Sequence, residues 1–228
     1  MEKKQNELLG DRLLCVSEMI RLRAVLCDVG TDHAKLPIYL VKENKIERAY
    51  ATDINKGPIA SAVKNISEFN LSDKIQCILT DGLELTDGLD VTDISICGMG
   101  GELIASILSR CTYIKDENIN LVLQPMTHTQ DLRKFLWDSG FVIDDERLVK
   151  ESGKLYVIIK AHYCGIVQNY SDVDLLLGKS LGQNTHGELY REMITRELYH
   201  LANRQKSSDP HEAQYAKNLY DKIYEVIK

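Results

Sequence analysis

Residues 28 to 33 read Asp-Val-Gly-Thr-Asp-His, directly after the apolar run Ala24-Val25-Leu26-Cys27. A turn that ends a strand needs Gly30, which takes positive φ, and one Asp that bonds its own backbone. It does not need a second acid and an imidazole. Further acids stand at comparable places: Asp53 closes the run 48–53, and Asp81 with Gly82 follows the run 75–80. An acid about 20 residues past a glycine turn suits the paired hydroxyls of a ribose, and Asp53 has that position.

The turn argues against a dinucleotide. A pyrophosphate asks for G-x-G-x-x-G at a helix start, whereas Asp28 and Asp32 here repel phosphate. A cationic cofactor with an adenosine end reverses the preference, because a sulfonium and an ammonium gain from nearby carboxylates. S-adenosyl-L-methionine has those features. Asp81 is then placed to accept from the adenine amino group, with Ile54 and Leu83 against the ring.

The elements that must position these residues follow from pattern. Short apolar or β-branched runs at 24–28, 48–53, 75–80, 93–97 and 119–124 alternate with helical segments at 34–44, 57–70, 100–110 and 129–139. Such alternation predicts β-α-β units, a mostly parallel sheet with helices on both faces, and hence an α/β, Rossmann-like fold. An amphipathic helix over 7–20 leads into the first strand. After Gly140, two strand-like runs joined by Glu151-Ser152-Gly153-Lys154 predict an edge hairpin. Two helices follow, over 186–206 and 210–227, packed on each other, with Leu189, Met193, Arg196 with Leu198, and Leu201 on one face of the first and Tyr215, Leu219, Ile223 and Val226 on one face of the second. Asp209, Pro210 and Glu212 read as cap, first-turn proline and N3 carboxylate of the last helix. The expected division is residues 1–164 and 165–228. In a doubly wound sheet, ligands bind beyond the carboxyl ends of the strands, which also brings in Gly98-Met99-Gly100-Gly101 and Gln124-Pro125.

Composition limits the alternatives. The 228 residues are 44% apolar and 27% charged with a net charge of −6, an ordinary globular mix without a bulk basic field for nucleic acid. Six cysteines lie scattered without a C-x-x-C pair, and read as reduced thiols. His128 and the other histidines lack metal spacing, so no metal is expected. No apolar stretch has bilayer length, and the amino terminus lacks a signal-peptide core, so a cytoplasmic location without membrane association is expected.

The stretches "DVGTDHAKLPIYL", "ATDINKGPI" and "ICGMGGELI" resemble the motifs of the bacterial tRNA (adenine-22, N1)-methyltransferases, a class I methyltransferase family with a helical carboxyl-terminal domain. The resemblance covers the chain to about residue 160. It implies a seven-stranded sheet, S-adenosyl-L-methionine as donor, and methyl transfer to N1 of an adenine in the D arm of tRNA, with no obligatory protein partner. By position, Asp28, Gly30 and Thr31 would face the methionine moiety, Asp53 the ribose, and Asp81 with Gly82 the adenine, with Gly98 and Met99 beside the cofactor. The fourth-strand motif departs from the Asp/Asn-Pro-Pro-aromatic pattern of amino-group methyltransferases, which is compatible with attack through a ring nitrogen.

Asp32, with His33 orienting it or contacting the base, is the candidate to stabilise charge developing on the adenine. Gly100, Gln124, Pro125 and Arg12 are assigned to the substrate. A basic surface is expected from Lys3, Lys4, Arg12, Arg21 and Arg23, with Arg191, Arg196, Arg204 and Lys206 on the tail. Plainer readings stand beside these: Asp32 and His33 as helix caps, the glycines as packing sites, Gln124-Pro125 as a turn, the tail charges as a solvated face. A methyltransferase acting on another RNA or a small molecule, and a non-catalytic RNA adaptor, remain the alternatives.

Overall fold

The computed structural model describes residues 9–179 and 187–226; Lys3 and Lys4 lie outside them. The chain divides into two compact units, residues 1–168 and 169–228.

In the first unit, α1 (Asp11–Met19) precedes β1 (Val25–Val29), α2 (Lys35–Lys42), β2 (Arg48–Asp53), α3 (Lys56–Glu68), β3 (Ile75–Leu79), β4 (Asp93–Met99), α4 (Gly101–Ser109), β5 (Asn120–Pro125), α5 (Thr129–Asp138), β6 (Phe141–Glu151) and β7 (Lys154–Tyr163). The seven strands form one sheet in the order β3-β2-β1-β4-β5-β7-β6. The pairs from β3 to β5 are parallel, while β7 runs antiparallel to both β5 and β6, so the sheet is mixed. The strand order reverses between β1 and β4. That gap between two diverging connections is where an open α/β sheet leaves room for a ligand.

Side-chain alternation along the central strands feeds two cores. Cys27, Val29, Leu121 and Leu123 pack under α4 and α5 with Ile104, Leu108, Leu132 and Leu136. Leu26 and Val122 point to the other face and meet Val16, Leu36, Leu40, Ala62 and Ile66 of α1 to α3. Both faces of the strands are covered, which is why these runs read as continuously apolar.

The hairpin turn forms as the sequence predicts, with Ser152 and Gly153 both at positive φ (50° and 76°), the geometry of a two-residue turn that matches strand twist. Two features of this edge escape sequence pattern. The β6–β7 register shifts between Ile143 and Asp145. Arg133 of α5 meets Glu146 of β6 at 2.7 Å with both side chains almost wholly buried.

Arg21 and Arg23 do not join a site surface. Arg21 donates from its backbone and its Nε to the fully buried Asp93 at the start of β4 (3.1 and 2.9 Å), and it also reaches the carbonyls of Thr92 and Asn118. Arg23 turns into β1 with its N–H on the Lys45 carbonyl. Both belong to the amino ends of the strands, opposite the ligand end.

The second unit contains a helix the sequence reading lacks, α6 (Asp172–Leu177), followed by α7 (Glu188–Arg204) and α8 (Pro210–Val226). At six residues α6 is too short to display periodicity. Its capping box is nevertheless complete: Asp174 N–H donates to Ser171 Oγ, and Ser171 N–H donates to Asp174 Oδ2. Tyr190, Met193, Ile194 and Leu201 of α7 are buried, as are Ala216, Leu219 and Ile223 of α8. The seam thus turns through Tyr190 and Ile194 rather than Leu189 and Leu198, and Tyr215 is exposed instead of buried. Asp209 caps α8 by accepting from the His211 N–H, but Glu212 takes the Ser207 hydroxyl rather than a free amide.

Candidate active site

The carboxyl ends of β1, β2 and β4 surround a cavity of about 340 Å³. Asp28, Gly30, Thr31, Asp32, Asp53, Gly98 and Met99 line it, as does Arg12, joined by Lys35 and Cys97, which sequence spacing did not mark. A larger hollow of about 500 Å³ beside β3 is lined by the first residues of β2 and β3, at the wrong end of the strands for the chemistry-bearing loops.

Asp28 is 5% exposed and both its oxygens are engaged, by Thr31 Oγ1 at 2.7 Å and Ser95 Oγ at 2.6 Å. Burial pushes its pKa up to about 6, against the pull of the two hydroxyls. Gly30 turns the chain at φ 70°, so that its N–H and that of Thr31 both donate to the Thr52 carbonyl (2.8 and 3.0 Å). Asp53 uses one oxygen to hold the Asn55 N–H at 2.7 Å, while its partly exposed side chain stays at the cavity wall. Ile54 beside it is 61% exposed.

Asp32 opens a short 3₁₀ turn (Asp32–Ala34), with its Oδ1 3.2 Å from His33 Nε2. Neither residue makes a side-chain cap bond to α2, so the capping reading is not realised. Asp32 lines the cavity; His33 is not among the lining residues, and 45% of its side chain is exposed.

Asp81, expected at the adenine, is not among the residues that line this cavity. Arg110 grips it with two bonds of 2.9 and 3.1 Å and also reaches Glu84. The Arg110 guanidinium holds the Asp81 carboxyl below the usual range. Asp81 faces a separate hollow of about 120 Å³ walled by Leu83, Ile107 and Tyr113. Gly82, at φ 57°, lends its carbonyl to the Thr52 hydroxyl.

Gln124 and Pro125, expected at the substrate, are buried. Gln124 Oε1 accepts from the Gly98 N–H at 3.1 Å and from Arg12 Nη1, and its Nε2 donates to the Pro125 carbonyl. Its amide is spent inside the protein. Arg12 is held in turn by Glu151, whose carboxylate also accepts the Arg12 N–H at 3.1 Å, and belongs to the cavity rather than to an outer RNA surface.

The glycine run has two separate reasons. A Cβ on Gly98 would meet nothing within 4 Å, so this position leaves open space at the mouth, whereas a Cβ on Gly100 would crowd Thr127 Oγ1 at 3.3 Å. A Cβ on Gly101 would lie 2.2 Å from the His128 carbonyl, so only glycine lets α4 start this close to α5. Near that junction Glu102, His128 and Asp131 bring ligand atoms within 4.8 Å of one another, though no metal was expected. All stand at helix amino termini, whose dipoles oppose a cation.

A sheet of this order, with a glycine turn after the first strand and an acid closing the second, defines a Rossmann-like methyltransferase of the S-adenosylmethionine-dependent class. The family model described as tRNA (adenine(22)-N(1))-methyltransferase matches residues 26–228, and the chain belongs to that family. It is 34% identical over 199 residues to the Bacillus subtilis tRNA (adenine(22)-N(1))-methyltransferase, covering 86% of this chain and 84% of the relative. Streptococcus pneumoniae Sp1610, solved in complex with S-adenosyl-L-methionine, superposes with a TM-score of 0.85 at 35% identity, over 96% of this chain and 100% of that one. The M. capricolum TrmK complex with S-adenosyl-homocysteine gives 0.83 at 29% identity, over 97% and 100%.

Proposed function

We propose that this chain transfers a methyl group from S-adenosyl-L-methionine to N1 of adenine 22 in tRNA. The acidic, glycine-turned cavity at the β1/β4 switch point carries this reading, together with family membership. The donor set fits a cationic adenosine derivative: Asp53 has an uncommitted oxygen for a ribose, Asp28 gives negative charge at depth, and Arg12 suits a carboxylate.

The cofactor supplies an electrophilic methyl on a positively charged sulfur. Adenine N1 already has an in-plane lone pair, so the protein need not create a nucleophile; it must align one, at about 3 Å from the methyl. The N1–carbon bond forms as the carbon–sulfur bond breaks, and positive charge moves onto the adenine ring. Asp32, held by His33, offsets that charge from the cavity mouth. The open face at Gly98 admits the base, which must leave its stack at a cost of a few kcal/mol because N1 lies on the pairing edge. A tRNA partner and a cytoplasmic site of action complete the reading; among the described residues no helix is long and apolar enough to cross a membrane.

The test is methyl transfer from labelled S-adenosyl-L-methionine to a tRNA transcript with adenine at position 22, and to the same transcript with guanine there. N1-methyladenosine found by nucleoside mass analysis in the first alone is the expected result. Label on other nucleosides, on a small molecule, or nowhere would refute it. Asp32→Ala is expected to keep cofactor affinity within about threefold and to lower kcat at least about 100-fold, the scale of a lost electrostatic stabiliser.

A further inference from the structure

We infer that Asn65 is a positioning residue: from the last turn of α3 it clamps the left-handed turn that carries Asp32 and His33. The catalytic part of this inference rests on the function proposed above.

His33 (φ 64°, ψ 5°) and Ala34 (φ 54°, ψ 30°) are the only consecutive non-glycine residues at positive φ among the described residues. In that conformation the Cβ crowds the following carbonyl, and a chain keeps such residues only where its surroundings impose them. Three contacts do so. The Ala34 methyl is fully buried in the core shared by α2 and α3, the Ala34 N–H donates to the Thr31 carbonyl at 3.0 Å, and Asn65 Nδ2 donates to the His33 carbonyl at 3.0 Å. Of the two hydrogen bonds, only the last reaches the turn from another element. Asn is a poor residue for a helix interior because its amide competes for backbone bonds. Here the amide is spent on a carbonyl 32 residues away, in the turn that follows β1.

The clamp acts downstream of the cofactor wall. Asp28, Gly30 and Thr31 are secured by Ser95 and by the Thr52 carbonyl, bonds in which Asn65 has no part. Asp32 has no such tie among the described residues: its side chain is 74% exposed and pairs with the neighbouring His33. Release of the His33 carbonyl therefore lets the turn relax toward right-handed conformations and swings the Asp32 carboxylate away from the mouth, while the donor cavity keeps its shape.

The experiment compares the full-length chain with N65A, N65D and the double variant N65A/A34G. N65A is expected to lower kcat on tRNA about tenfold with the dissociation constant for S-adenosyl-L-methionine changed less than twofold. N65D keeps the shape but has no N–H to donate, and is expected to match N65A. Glycine at 34 takes positive φ freely, so the double variant is expected to recover most of the lost turnover, which a purely helix-stabilising role of Asn65 would not allow. Hydrogen exchange at the residue 34 amide reads the clamp without substrate and is expected to quicken in N65A. Turnover equal to wild type in N65A, unchanged exchange, or no recovery in the double variant overturns the clamp. A wild-type chain that leaves tRNA unmethylated while exchange still quickens in N65A overturns the proposed function and the catalytic part of this inference, and leaves the structural clamp standing.

Discussion

Asp28 keeps a carboxyl group where water does not reach, at a cost the two hydroxyl donors do not cancel. Its folded pKa of about 6 exceeds the ordinary 3.8, so the native state binds this proton more tightly than the unfolded chain does. Its favourable contribution is complete below about pH 4 and disappears as pH rises through 6. Relative to D28N, the wild type is expected to lose up to about 3 kcal/mol of stability between pH 4 and 7, measured by denaturant midpoints. Affinity for the cationic cofactor is expected to run the opposite way, strengthening through pH 6 in the wild type and staying flat in D28N. Asp28, Gly30 and Asp53 were legible in the sequence because strand ends announce themselves locally. The role of Gln124 was not, since its partners Arg12 and Gly98 stand 112 and 26 positions away.

Between elements, Gly101 under the His128 carbonyl sets a close approach of α4 to the start of α5. Gly101→Ala places a methyl against backbone that cannot rotate aside, and is expected to cost about 2 to 3 kcal/mol, read as a lower thermal midpoint. Gly98→Ala meets no atom but must adopt φ 79°, so its cost is backbone strain rather than collision. The seven strands and the helices between them were readable because period-two and period-3.6 patterns alternate along the chain. The bulge near Asp144, the helix α6 and the buried Arg133–Glu146 pair were not, because each depends on one or two residues meeting distant partners.

At the scale of the whole molecule, a net charge of −6 means that tRNA binding must rely on local groups. Among the basic residues read from the sequence, Arg21 is committed to Asp93, and Arg204 faces Glu212 and the Tyr215 ring. Arg196 of α7 is exposed. Arg196→Glu is expected to raise the KM for tRNA several-fold, with a shallower salt dependence and no change in cofactor affinity. Arg21→Ala is expected to do the reverse, lowering stability by about 3 kcal/mol because Asp93 is left buried without its charge partner, with KM unaltered. The β6–β7 hairpin has a wider reach than its edge position suggests. Its pairing runs on past the end of β5 to Glu151 and Lys154, and Glu151 holds Arg12, Arg12 holds Gln124, and Gln124 holds the Gly98 amide. Besides the shared apolar core, a relay of polar links thus ties the outermost ribbon to the cavity, so a push on that ribbon is transmitted to the Gly98 amide.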